Sequence, residues 1–359
     1  MKTISIIGTV GLPATYGGFE TLVEYITKHL SEDYNITVYC SSKSYKQQLS
    51  HYNGATLKYI NLHANGIQSV PYDILSIANA WKTSDTLLIL GVSGCLILPF
   101  VKLFGKKKIV VNIDGLEWKR QKWKSYAKKF LKFSEFLAVK YADVVITDNK
   151  VIQDYVQREY GKQSELIAYG ADHVNKLEIS NDLLEQFSFL KHNYAFSVCR
   201  IEPENNIHVL LNAFEQFKKL TLAIIGNWSK SEYGQQLKEN YSNVENIILI
   251  DPIYDQTILD QIRSNCYLYL HGHSAGGTNP SLVEAMYLEL PILAFDVSYN
   301  RATTEDKALY FHDHKELIVL LEKIVANQID LQAYSTAMYH IAKNHYTWEK
   351  IASQYASIF

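Results

Sequence analysis

Gly272-His273-Ser274-Ala275-Gly276-Gly277-Thr278-Asn279-Pro280-Ser281-Leu282-Val283-Glu284-Ala285-Met286 is the stretch on which the reading of this chain turns. It follows an apolar strand, Tyr267–Leu270, and runs into an apolar helix. Pro280 suits the first helical turn, Asn279 suits the cap, and the glycine pair leaves the backbone open. A diphosphate at such a helix start meets free N–H groups and the positive end of the helix dipole. Glu284 falls about one turn inside, where its carboxylate can accept hydrogen bonds from ribose hydroxyls. Taken alone, Glu284 reads first as a solvated helix residue.

Outward from this point, apolar β-rich runs alternate with longer helical patterns, which predicts parallel sheets covered on both faces. In the first half the expected strands are Ile4–Ile7, Ile36–Tyr39, Leu57–Ile60, Thr86–Leu90, Lys108–Ile113, Val144–Thr147 and Leu166–Ala168. In the second they are Ala195–Cys199, Thr221–Ile225, Ile247–Ile250, Tyr267–Leu270, Ile292–Phe295 and Leu309–Phe311. Helices such as Glu20–Leu30 and Val209–Phe217 fall between them. The rhythm stops near Tyr169-Gly170-Ala171-Asp172, passes a polar stretch from Lys176 to Asn193, and restarts at Tyr194. That break divides the chain into domains at 1–172 and 173–335, followed by a final helical segment, 336–359, with Trp348, Tyr355 and Phe359 available for docking. No fixed-period repeat links the halves.

Three other loops carry candidate chemistry. Gly8 to Glu20 follows the first strand, and Gly17-Gly18 opens a helix. Its spacing is not Gly-x-Gly-x-x-Gly, so it reads as a tight turn or as a backbone cradle for an anion. Arg200-Ile201-Glu202-Pro203-Glu204-Asn205-Asn206 follows the strand Ala195–Cys199. Ligands of open α/β sheets sit at the carboxyl ends of strands, so the fixed-charge fork of Arg200 is placed for phosphate. Asn112 to Arg120 also follows a strand, with Asp114 and Glu117 either facing a cleft or serving as buried structural groups.

The chain has 359 residues, 47% of them hydrophobic, and a formal charge of -2, so nothing global draws it to nucleic acid. Cys40, Cys95, Cys199 and Cys266 are far apart and read as reduced, packed thiols rather than a metal or disulfide framework. Met1-Lys2-Thr3 leads straight into a strand, unlike a signal peptide, which points to a cytoplasmic protein. Leu87 to Phe104 is almost uncharged, but Gly91, Ser93, Gly94 and Pro99 fit a strand, a turn and a core-facing helix better than a membrane span.

Gly17-Gly18 before a helix, Tyr169-Gly170-Ala171-Asp172, Arg200 with Pro203-Glu204, and Glu284-Ala285-Met286 followed by Pro291 resemble family-4 glycosyltransferases of the GT-B fold, over almost the whole chain. Within that family, the loop Tyr16-Gly17-Gly18-Phe19-Glu20, the run Asp114–Arg120, Pro203-Glu204-Asn205-Asn206 and Gly276–Ser281 are similar to bacterial rhamnosyltransferases of polysaccharide assembly. The resemblance implies an α/β GT-B architecture: two Rossmann-like domains facing across a cleft, with the C-terminal helix packed on the first. It implies metal-independent transfer of a sugar, with retention, from a nucleotide sugar, and no cofactor. The donor it points to is dTDP-rhamnose and the acceptor a lipid-linked saccharide of capsule or O-antigen synthesis. Asp114 and Arg200 would be catalytic. Gly17, Gly18, Arg200, Asn205, Gly276, Gly277, Thr278, Asn279, Ser281, Glu284 and Arg301 would hold the donor, and Tyr16, Phe19, Glu20, Glu117 and Trp118 would lie on the acceptor side.

Two positions depart from the wider family: Asn205 replaces a lysine and Gly276 a glutamate. Arg301 or helix-start amides are expected to make up the charge, and the missing glutamate suits a deoxyhexose. Other readings are a transferase using a UDP- or GDP-sugar, a GT-B-fold epimerase, or a non-catalytic nucleotide-binding subunit. Finally, Lys119, Arg120, Lys122, Lys124, Lys128, Lys129 and Lys132 form a basic cluster, preceded by Lys106–Lys108. Trp123, Tyr126, Phe130 and Phe133 recur beside it at helical spacing. The stretch 119–132 reads as a solvated basic face, as a peripheral contact with an anionic inner membrane, or as both.

Overall fold

The computed structural model describes residues 1–15, 17–120 and 123–359, arranged as two compact units, Met1–Tyr169 with Trp348–Phe359, and Gly170–Thr347. In the first unit the strands are β1 (Thr3–Ile7), β2 (Asn35–Ser41), β3 (His51–Tyr52), β4 (Ala55–Ile60), β5 (Thr86–Leu90), β6 (Lys108–Asn112), β7 (Val144–Thr147) and β8 (Glu165–Leu166). They form one sheet in the order β3-β4-β2-β1-β5-β6-β7-β8, parallel except where β3 pairs with β4. Its helices are α1 (Gly18–Leu30), α2 (Ser69–Thr83), α3 (Leu98–Phe104), α4 (Ser125–Tyr141) and α5 (Lys150–Tyr160). β1 and β5 are neighbours, with Ile4 opposite Thr86, so the strand order reverses beside the loop that follows β1.

The second unit repeats the architecture. Its strands β9 (Tyr194–Val198), β10 (Thr221–Ile225), β11 (Ile247–Ile250), β12 (Leu268–His271), β13 (Ile292–Phe295) and β14 (Leu309–Phe311) lie parallel in the order β11-β10-β9-β12-β13-β14. Around them are α6 (Asn181–Gln186), α7 (Ile207–Gln216), α8 (Glu232–Tyr241), α9 (Gln256–Ser264), α10 (Pro280–Tyr287), α11 (Ser298–Thr303), α12 (His314–Val325) and α13 (Leu331–His345). Leu222, Ile224, Leu268, Leu270 and Leu293 from the sheet bury against Leu210, Phe214, Leu317 and Leu321 of the helices. The order reverses between β9 and β12, and the loops leaving those two strands are the ones singled out by sequence. Ligands of such sheets bind at this reversal.

The last helix, α14 (Trp348–Ile358), returns to the first unit. Trp348, Ile351, Ala352, Tyr355 and Ile358 recur on one face and are buried against α1 and the first sheet. Trp348 stacks on Tyr25 of α1, with ring centroids 4.4 Å apart and planes 7° from parallel. The returning segment therefore starts at Trp348, later than expected. α13 stays in the second unit because Met338, Ile341 and Ala342 bury there, and it packs along α10. All four cysteines are free and buried.

The uncharged stretch Leu87–Phe104 is a strand, a turn and a short helix, and no helix among the described residues is long and apolar enough to cross a membrane. The helix is not core-facing throughout, as the sequence suggested. Leu98 and Val101 are buried, but Phe100, Leu103 and Phe104 are 64%, 75% and 68% exposed.

Candidate functional site

Two loops at the strand reversal of the second unit are locked together. Ser274 donates to the Glu204 carbonyl through both its backbone N–H (2.8 Å) and its hydroxyl (2.9 Å). The Asn206 amide donates to the Gly272 carbonyl at 2.9 Å. Gly272 has to be glycine, because a Cβ there would lie 2.3 Å from the Asn205 carbonyl oxygen. From the other side, the Asn300 amide holds the His273 carbonyl at 2.9 Å. The backbone of Gly272–Ser274 is thus held before any ligand arrives, which lowers the ordering cost of binding.

The loop opens α10 as the sequence implied. Asn279 occupies the cap without a side-chain bond, Pro280 fills the first turn, and the N–H groups of Leu282 and Val283 turn back to the Asn279 carbonyl. Gly276 has φ +122, a conformation that disfavours L side chains, and the space beside it is open except for the Asn279 side chain. Gly277 and Thr278 are buried, and Ser281 is half-buried. His271, at the end of β12, is fully buried and stacks on His273 with centroids 4.3 Å apart. Burial holds the pKa of His271 down at about 3, so its ring is neutral.

Glu284 is not a free surface carboxylate. Its Oε2 accepts from Nη1 of Arg263, and its Oε1 lies 3.3 Å from Nε2 of His173. Arg263 is wholly buried and also donates to Asp260 Oδ1 at 3.0 Å. Burial pushes the Glu284 pKa up, but Arg263 and His173 outweigh it and hold it down at about 2. No motif pointed to Arg263, Asp260 or His173. The only local signal is the i,i+3 pairing of Asp260 with Arg263 on α9, a spacing common on ordinary helix surfaces.

Arg200 leaves the end of β9 with a side chain 40% exposed, and its nearest carboxylate, Glu202, is 3.9 Å away. It is available to an anion. Asn205 has a different role from the one expected. It is buried, and its amide donates to the Arg200 carbonyl at 2.6 Å, so it shapes the loop instead of reaching a donor. Arg301 does not make up the missing charge. Asp296 holds it bidentately at 2.5 and 2.6 Å, Asp306 adds a contact at 2.9 Å, and the guanidinium lies over Tyr310.

In the first unit, Gly17 has φ +137 and stands beside Glu20, where a Cβ would meet the carboxylate at 1.9 Å. Glu20 turns inward, and its Oε1 accepts from the Thr9 hydroxyl (3.0 Å) and the Val10 N–H (2.7 Å). It ties the β1–α1 loop, a structural role in place of the acceptor contact expected of it. Gly18 begins α1, Phe19 packs on the core, and Tyr16 lies outside the described residues. Asp114 takes a left-handed conformation at φ 59, with its N–H bonded to Asn112 Oδ1 at 3.0 Å, and is half-buried at the end of β6.

Glu117 is held by Arg120 at 2.7 Å and by the Trp123 indole at 2.9 Å. The Trp118 indole donates to Glu135 at 3.0 Å, and Glu135 also accepts from the hydroxyls of Tyr155 and Tyr160. Both residues brace the segment leading into α4, which accounts for them without an acceptor. Among the described residues no three His, Cys, Asp or Glu side chains are grouped to hold a metal.

Residues 181–341 match the family described as glycosyl transferases group 1, and residues 1–172 match a domain of unknown function, DUF1972. An uncharacterized glycosyltransferase of Methanocaldococcus jannaschii is 23% identical over 96% of this chain and 94% of its own length. Among solved structures, sucrose-phosphate synthase from Thermosynechococcus elongatus superposes with a TM-score of 0.82 at 16% identity, over 100% of this chain and 98% of that one. HepE of Anabaena, solved in complex with UDP-glucose, gives 0.78 at 14% identity over 99% of each chain. The chain has the GT-B fold, and its second half carries the group 1 glycosyltransferase match.

Proposed function

We propose that the chain transfers a sugar from a nucleoside diphosphate sugar, with retention at the anomeric carbon. The donor in this reading is dTDP-rhamnose, and the acceptor is a lipid-linked saccharide of bacterial capsule or O-antigen synthesis. The observation that carries it is the pairing at the strand reversal: an ionised Glu284 inside α10 and an available Arg200 on the adjoining loop. A departing diphosphate is stabilised by a guanidinium and helix-start amides, while the carboxylate accepts from the nucleoside sugar. HepE, similar over its full length, was solved with UDP-glucose, which supports a nucleotide-sugar donor. The deoxyhexose rests on the sequence resemblance and on Gly276, which has no side chain to meet sugar hydroxyls.

The test is transfer from a panel of dTDP-rhamnose, UDP-sugars and GDP-sugars to a lipid-linked acceptor, with excess EDTA present. Transfer from dTDP-rhamnose that persists in EDTA is expected. A requirement for manganese or magnesium overturns the metal-independent mechanism. Preference for a UDP- or GDP-sugar replaces the donor. Release of an altered free sugar without acceptor makes the protein an epimerase, and absence of any turnover makes it a binding subunit.

The same reading places the protein on the inner face of the plasma membrane, in reach of that acceptor. On α4, Tyr126, Lys129, Phe133, Phe136 and Lys140 share the outward face, with Tyr126, Phe133 and Phe136 exposed by 73%, 54% and 40%. This face differs from the stripe expected, since Phe130 is half-buried; Lys122 lies outside the described residues. α3 packs beside α4 and adds Phe100, Leu103 and Phe104. Aromatic anchors with cations between them suit an anionic interface, each cation adding about 1 kcal/mol. Flotation with phosphatidylglycerol vesicles at low salt, lost at high salt, is expected. No flotation at low salt refutes the membrane contact.

A further inference from the structure

We propose that Arg263, a wholly buried arginine of α9, is a positioning residue that keeps the Glu284 carboxylate aimed and charged for the hydroxyls of the donor's nucleoside sugar. The inference rests on the reading of Glu284 as that contact.

Stability alone does not explain this arginine. Its side chain is 0% exposed, and its Nε has no hydrogen-bond partner. A buried ion pair at best breaks even against well-packed apolar side chains, and an unmet buried N–H adds a further cost. Asp260 is buried beside it, and both its oxygens are engaged, Oδ1 by Arg263 and by the Gln256 amide at 2.7 Å, Oδ2 by the Asn175 N–H at 3.0 Å. The guanidinium is thereby fixed from behind and presents Nη1 to Glu284.

The consequence falls on one carboxylate. Arg263 takes Oε2 and pins the side-chain rotamer, His173 stands 3.3 Å from Oε1, and 15% of the side chain is left exposed. The groups that face Glu284 are Arg263 of α9 with Asp260 behind it, His173 from the segment entering the unit, and Tyr269 of β12. Of these only Arg263 carries a permanent positive charge. Without it, burial would raise the Glu284 pKa, and protonation would turn an acceptor for two hydroxyls into a mixed donor and acceptor.

The experiment is calorimetric titration with UDP and with dTDP, from about pH 5 to about pH 9, on wild type, Arg263→Gln, Arg263→Lys, Glu284→Gln and the Arg263→Gln/Glu284→Gln double variant. In Arg263→Gln, affinity is expected to fall at least about tenfold more than in wild type as pH drops, one protonation controlling one carboxylate. That extra acid limb is expected to vanish in the double variant and to shrink in Arg263→Lys, which restores charge without the fork. A loss of affinity equal at every pH overturns the inference and leaves Arg263 a structural group. If Arg263→Gln does not fold, Arg263→Lys decides: weakening that Glu284→Gln abolishes supports the inference, and wild-type affinity overturns it. Wild-type affinity in Glu284→Gln, or no binding of either nucleotide to wild type, defeats the donor-site reading itself. Loss of binding in Glu284→Gln with no acid limb in Arg263→Gln defeats only the role of Arg263.

Discussion

Replacing Glu20 by alanine separates a loop staple from an acceptor contact. The side chain is 7% exposed and accepts from the Val10 N–H at 2.7 Å and the Thr9 hydroxyl at 3.0 Å. Glu20→Ala leaves both donors unmet. An N–H bonded to a carboxylate contributes about 1.5–3 kcal/mol and a neutral hydroxyl about 1 kcal/mol, so roughly 3 kcal/mol is at stake. Glu20 also sits in the first turn of α1, where a negative charge adds a few tenths more. For a unit of this size each 1 kcal/mol moves Tm by about 2–4 °C, so a drop of roughly 6–12 °C is expected. Differential scanning calorimetry reads it, with Glu20→Gln as the control, since its amide oxygen keeps an acceptor and should lose about a third as much. A Tm within about 1 °C of wild type, together with a collapse in transfer rate, would refute the reasoning and put the carboxylate on substrate.

Arg200→Ala is expected to cut kcat by about 100- to 1,000-fold, the effect of removing one donor from developing charge, with an unchanged Tm because the side chain is exposed; near-normal turnover removes it from the mechanism. Asp73 of α2 is buried, its Oδ1 has no hydrogen-bond partner, and burial raises its pKa well above the usual carboxylate range. A raised folded-state pKa means stability is full below the unfolded value near 4 and declines as pH rises above it. Asp73→Asn should therefore match wild type near pH 4 and melt higher by a margin that widens toward neutral pH. A melting difference independent of pH would show that Asp73 finds a compensating partner.

The fold was legible because alternation of apolar strands with amphipathic helices is local information. Strand cores such as Ile4–Ile7 and Thr221–Ile225 lie where their patterns place them. β3 was not legible, since His51–Tyr52 is two residues long and pairs only at the sheet edge. The pairing loops were legible as well: glycines, a capping asparagine and Pro280 specify a loop-to-helix start through backbone chemistry alone. Side-chain direction was harder. Glu20, Asn205, Glu117 and Arg301 are the residue types that bind ligands, but each is consumed by a neighbour brought near by folding.

Sequence by itself determined the two doubly wound sheets, the loops at their carboxyl ends, Arg200 on one of them and Glu284 in the helix that another opens, because hydrophobic periodicity and turn chemistry act over a few residues. Tertiary structure alone decided which polar groups remain open to a ligand. Arg263 and His173 reach Glu284 from 21 and 111 positions away, and α14 reaches α1 from the opposite end of the chain. Such pairings depend on where elements pack, and charge partners chosen by packing have no signature along the chain.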